Sequence, residues 1–268
     1  MRLTQALLPG LYQNIISGKI VTMEVHAHSH TARKKWAHYL WEFLMLFLAV
    51  FCGFLAEYLL EHRIEKEREK QFINSIDSDL KDDTLSITKH IETIKAGIVL
   101  FDSLSGLLES PESAKKNGEA IYYTSRLGVR LSPLVNNNRT IDQLKNSGGF
   151  RLINKQETSN RIMKYYSGFP ELRMIEELFN RENMAFKEVA SKVMSQAIYR
   201  DQINPDGSVA RIPGNLSLLT YDAVTLNQLG FYAVQMNGSR TGMINILQNL
   251  KQSAAELLDY LQKTYHLK

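Results

Sequence analysis

Cysteine is almost missing from this chain of 268 residues: there is one, Cys52, and it stands inside an apolar run. A lone cysteine excludes any disulfide within the chain, and with it the bridged framework of a small secreted scaffold. Alternation of apolar and polar residues with period two is also lacking, so nothing reads as a strand. Walker-type loops, the G-x-S-x-G elbow and the H-E-x-x-H helix are all absent. With no nucleophile, base and orienting group in a recognisable set, an enzyme is not expected, and no cofactor is. Basic residues exceed acidic ones only slightly, 32 to 28, and beyond residue 110 they are scattered singly. Nucleic acid would call for a clustered basic stripe with interleaved aromatics, so it is not an expected partner.

What the chain does have is one long hydrophobic run. WAHYLWEFLMLFLAVFCGFLAEYLL, residues 36–60, contains only His38, Glu42 and Glu57 as titratable interruptions, all towards its ends. At about 1.5 Å per residue it is long enough to cross a hydrocarbon layer about 30 Å thick. Trp36, Tyr39, Trp41 and Tyr58 sit at its margins, where amphipathic rings settle among headgroups. The uninterrupted apolar core, residues 43–56, is shorter, which leaves a buried soluble helix as the competing reading. Ala49, Gly53 and Ala56, beside Cys52, form small-residue surfaces through which membrane helices can pack. Glu42 and Glu57 are candidate intramembrane ionisable groups, although their places near the ends, with His38 one turn before Glu42, favour an interfacial setting over a proton path.

Residues 1–35 read as a polar tail rather than a cleavable signal peptide, because the apolar span comes too late and is too long. Met23 opens a natural short lead into the span and is a candidate start. His26, His28 and His30 alternate and are weak candidates for a metal site, since no carboxylate or cysteine stands at ligand spacing. Arg33, Lys34 and Lys35 precede the span, whereas Arg63, Lys66, Arg68 and Lys70 follow it among four glutamates. The compact, undiluted triplet favours an N-terminus in the cytoplasm of a bacterium and a C-terminal domain in the periplasm, anchored in the inner membrane.

After the span, residues 61–72 read as a charged helical stalk and residues 73–268 as a helical bundle. Apolar residues at 73, 76, 80, 87, 91, 94, 98, 101 and 108 step by threes and fours, faltering at Asp82–Asp83–Thr84. Met243, Leu247, Leu250, Ala254, Leu257, Leu261 and Tyr265 repeat the pattern. Two such seams at opposite ends of a domain predict an antiparallel bundle that returns the C-terminus to the stalk, with an intermolecular coiled coil as the alternative. Between the seams, helices are expected over 118–131, 171–203 and 217–236, with a loop at 204–215 and a break at Asn237-Gly238.

The segment NNNRTIDQLKNSGGFRLINKQETSNRIMKYYS, residues 136–167, predicts two short helices, 141–147 and 155–167. Thr140 with Gln143 and Asn154 with Glu157 fit capping boxes. Gly148 falls where a left-handed cap is needed, so Gly148-Gly149 is the expected hinge. Lys145, Arg151 and Arg139 near the hinge are weak candidates for an anionic ligand. The basic lead, single span, charged stalk and the motif Gln143-Leu144-Lys145-x-Ser147-Gly148 followed by Arg151-Leu152-Ile153, with Tyr165-Tyr166 behind it, resemble an uncharacterised family of single-pass membrane proteins in Bacteroidetes. The likeness covers roughly residues 23–170. It implies the same architecture and a similar origin, and carries over no catalytic or binding residue.

The fold class expected is therefore all-α: a single N-terminal membrane helix, a stalk and an antiparallel bundle. The function expected is that of a membrane-anchored structural or interaction protein, its partners the lipid bilayer and a membrane protein or a further copy of itself. A sensory or ion-coupled subunit is the alternative.

Overall fold

The computed structural model describes residues 36–267. The tail expected over residues 1–35, with Met23, His26, His28, His30 and the basic triplet, lies outside them. The chain is all-α: eight helices occur among the described residues, and the only β pairing there is an isolated bridge between Ile203 and Val209. In order they are α1 (Trp36–Leu107), α2 (Pro111–Lys116), α3 (Gly118–Gly128), α4 (Arg139–Asn146), α5 (Gln156–Tyr166), α6 (Phe169–Val193), α7 (Gln196–Asp201) and α8 (Ala223–Tyr265). A 3-10 turn, Gly149–Leu152, follows α4.

The chain divides into two units between Tyr58 and Leu59, and α1 contributes to both. In the first unit α1 is solvent-facing throughout, with the rings of Phe43, Phe47 and Phe51 stacked one turn apart at 6.3 and 6.1 Å. One window of 18 residues in α1 has a mean hydropathy of 2.3 and is 0% buried, so this helix is long and apolar enough to cross a membrane.

The second unit owes its helices to the two seams. Ile73, Ile76, Leu80, Ile87, Ile94, Phe101 and Leu104 of α1 are buried, as are Met243, Leu247, Leu250, Ala254, Leu257 and Leu261 of α8. The order of their contacts makes α1 and α8 antiparallel. Tyr265, at the end of α8, donates to Glu69 at 3.0 Å, and Asn237, 28 residues earlier, donates to Asp102 at 2.9 Å. Burying these seams is the main force holding the unit together, at roughly 1.5–3 kcal/mol per large aliphatic side chain.

Several expected boundaries move, each for a tertiary reason. Asn237-Gly238 does not break the chain; α8 runs through it, because the Asn237 amide turns inward and donates to Ile98 O at 3.0 Å as well as to Asp102. The helix expected over 171–203 stops at Val193, where the Ser195 N–H donates to the buried Tyr122 hydroxyl at 2.7 Å, and α7 restarts after it. Pro170 occupies the first turn of α6, where its missing N–H is harmless. The helix expected over 118–131 ends at Gly128. A Cβ at Gly128 would overlap the ring of Phe101, so only glycine lets the backbone come this close.

Candidate functional site

Four carboxylates on α1 are buried: Glu69 (7% exposed), Asp77 (7%), Asp79 (4%) and Asp83 (2%). They border the apolar seam, and each is held by donors from distant parts of the chain or from its own helix. Glu69 accepts the Asn154 N–H at 2.9 Å and the Asn154 side-chain amide at 2.7 Å, besides the Tyr265 hydroxyl. Asp77 pairs with Lys81 one turn on at 2.6 Å and accepts from Gln262 at 3.4 Å. Asp79 accepts the Thr140 hydroxyl at 2.5 Å, with the Arg139 guanidinium 3.8 Å away. Asp83 accepts the Asn137 N–H and the Tyr165 hydroxyl, both at 2.8 Å. The polar step that interrupts the seam at residues 82–84 is therefore a receptor for the segment 137–166. Thr84 also closes part of this step locally by donating to Leu80 O at 2.8 Å.

That segment is shaped to reach the acids. Gly148 is left-handed (φ 66°), as its place in the sequence predicts, and lets the chain turn from α4 into the 3-10 turn. Leu144, Ile153 and Gly149 are buried beneath the turn. The two capping boxes are not formed. Helix α4 begins at Arg139 and Thr140 gives its hydroxyl to Asp79, while α5 begins at Gln156 and Asn154 is spent on Glu69. Burial and charge competed with local capping, and the buried carboxylates won, because an unpaired carboxylate out of water is far costlier than an uncapped exposed helix end. Tyr165, Tyr166 and Phe169 then pack edge-on and tilted, with centroids 4.9 to 6.2 Å apart.

The electrostatics follow from this burial. Desolvation raises the Asp83 pKa above the ordinary carboxylate value, opposed by the hydrogen bonds from Asn137 and Tyr165. Burial, and then the neighbouring aspartates, hold the Tyr165 and Tyr166 phenols well above their usual range. Tyr265 is pushed up to about 12, chiefly by burial. The phenols therefore keep their protons and serve as donors to carboxylates.

Comparison with family models, with curated proteins and with solved structures gives no match. The functional reading rests on the residues themselves.

Of the residues singled out in the sequence, Glu42 lies with its Oε1 3.7 Å from His38 Nε2, both side chains half exposed. Glu57, Ala49, Gly53, Ala56 and Cys52 are exposed, and a Cβ at Gly53 would meet nothing within 4 Å. Lys145 and Arg151 point to solvent, and Arg139 is 82% exposed beside Asp79. Among the described residues no group of three His, Cys, Asp or Glu side chains could hold a metal ion. Glu69, within the stretch read as an exposed stalk, is buried and belongs with the bundle.

A second buried polar feature escaped the sequence reading. Arg240 is 1% exposed and has no carboxylate within ion-pair distance among the described residues. Its guanidinium donates to Gly128 O and, at 3.0 Å, to Asn237 Oδ1, and lies between the rings of Phe101 and Phe179 at 4.5 and 5.1 Å. Burial lowers its pKa to about 10. Asn237 passes the interaction on to Asp102, so charge is matched through an amide rather than by contact. The available signal was register: Met236, Arg240, Met243 and Leu247 step by fours and threes, which places Arg240 on the buried stripe. The acids are held by internal bonds, whereas the Arg240 Nε is buried without a hydrogen-bond partner among the described residues.

Proposed function

We propose that this chain is a membrane-anchored, non-enzymatic interaction protein: residues 36–60 cross the bacterial inner membrane and the helical unit after them docks to envelope partners. The observation that carries the reading is the apolar window of α1, which is wholly exposed although the described residues after it build a core. Exposed apolar surface on this scale is a contact surface, and its length, with Trp36, Trp41 and Tyr58 at the margins, suits lipid. The half-exposed His38–Glu42 pair near one end is the placement expected of an interfacial pair, in keeping with an anchor rather than an ion path.

Orientation follows the positive-inside argument, with the N-terminus in the cytoplasm and the bundle in the periplasm. Alkaline phosphatase and green fluorescent protein, fused in separate constructions after Lys268, test it. Active phosphatase with a dark fluorophore is the expected result; a fluorescent fusion with inactive phosphatase would put the bundle in the cytoplasm and overturn the orientation.

A further inference from the structure

The buried faces of α1 and α8 each contain a row that repeats every seven residues. On α1 the row is Ile73, Leu80, Ile87, Ile94 and Phe101, with Leu108 just beyond the helix, and all are buried. On α8 it is Leu226, Ala233, Arg240, Leu247, Ala254 and Leu261, again all buried. Heptad rows of apolar residues still meet one another after a slip of one repeat, so the pattern alone leaves the alignment open. Such a slip is about 10 Å along the axes. The stretch 202–222 between α7 and α8 holds no helix and is long enough to follow it.

Arg240 is the one residue in either row that is not apolar. Its guanidinium occupies a seat made by two glycines on different helices. A Cβ at Gly97 of α1 would come within 3.0 Å of the Arg240 Nε and 3.1 Å of its Cζ, so the side chain lies against bare backbone. Gly128 of α3 supplies the carbonyl that the guanidinium donates to, and its missing side chain makes room for the Phe101 ring that faces the cation. One heptad either way along α1, the residue at this level would be His90 or Leu104, and neither leaves the backbone bare. The Gly128 carbonyl would be out of reach, and a side chain that is 1% exposed has no water to take its place.

Other ties of α8 tolerate a slip better. Glu69 keeps both bonds from Asn154 without Tyr265, and Asp77 keeps Lys81 without Gln262. Asp102, which Asn237 holds, is exposed to water. Gly242 lies close to α6, but a Cβ there would meet the rotatable end of Ile175. Besides those of Arg240, the one fully buried side-chain bond from α8 to another helix among the described residues runs from Ser239 to Glu182, at 2.7 Å.

We propose that Arg240 is a register pin: it confines α8 to one alignment on α1, because the heptad-shifted alignments strand a buried cation. A polar residue at a single position of an apolar heptad row fixes register in this way, at a cost in stability. The pin belongs to the helical unit alone and holds whether or not residues 36–60 lie in a membrane.

The test is the distance between spin labels on α1 and α8, attached at Glu92→Cys and Gln235→Cys, both exposed positions, in the full-length chain in detergent with Cys52→Ser. With Arg240 in place, the labelled chain and its Ser239→Ala variant should each give one narrow distance. Arg240→Met combined with Ser239→Ala should add a second population, in which one label has moved past the other by about 10 Å along the axes. Its unfolding midpoint should be no lower than that of Ser239→Ala alone, because an apolar side chain ends the burial of a charge. A single, unshifted distance in the double variant overturns the proposal. So does a midpoint well below that of Ser239→Ala, which would make Arg240 a prop rather than a pin. A shifted population in Ser239→Ala alone overturns it as well, since the pin would then be Ser239.

Discussion

Asp83 is the residue on which the acidic face of α1 turns. It is nearly inaccessible and accepts from a backbone N–H 54 positions away and from a phenol 82 positions away. Tyr165→Phe leaves one of its oxygens buried without a donor, so we expect a loss of about 1–3 kcal/mol, read as a lower midpoint in thermal or denaturant unfolding of the full-length chain. Asp83 also predicts the sign of a pH effect. Its pKa is raised in the folded state, so the fold binds this proton more tightly than the unfolded chain does. Stability from this group is greatest below the ordinary carboxylate value of 3.8 and is lost as pH rises through the raised value. The unfolding midpoint of the wild type, less that of Asp83→Asn, should therefore grow as pH falls from neutral towards about 4. A difference that is flat or shrinks over this range would mean that Asp83 is not proton-linked in this way.

Among the elements, the ends of α3 and the course of α8 depend on close approach. At Gly128 an added methyl would drive into the Phe101 ring, which stacks on Phe186 at 5.1 Å and lies under Arg240. Gly128→Ala should cost about 1–3 kcal/mol through this overpacking, measured by the unfolding midpoint. The two seams were legible because burial repeats at helical period: Ile73 to Leu80 and Met243 to Leu261 are buried as their spacing requires. Gly148 was legible too, since a left-handed residue between two short helices has few alternatives to glycine. The acidic face was not. Asp83 stands in what looks like a lapse in the seam, and the donors that justify it and Asp79 lie 54 to 82 residues on, beyond anything a local pattern encodes. Asn237-Gly238 misled for the same reason. As a dipeptide it favours a turn, but the Asn237 amide finds acceptors 135 and 139 residues away, and those contacts keep it helical. Arg240 sits on the apolar stripe, where its charge hid what its register showed.

Across the described residues, α1 offers the long run of uncovered apolar surface, while the helical unit after it buries a core of its own. The buried carboxylates of α1 hold the segment 137–166, and the Arg240 guanidinium holds Gly128 and Asn237. The function proposed for the molecule depends on residues 36–60 lying in a membrane. The most direct measurement is fractionation of cells expressing the full chain, with the membranes washed in alkaline carbonate and then dissolved in detergent. We expect the protein to stay in the carbonate-washed pellet and to be released only by detergent, and replacing three of Leu44, Leu48, Phe51 and Leu55 by lysine to move it to the soluble fraction. Wild-type protein released by carbonate would mean that residues 36–60 do not span a membrane, since a spanning helix is not removed by disrupting peripheral contacts.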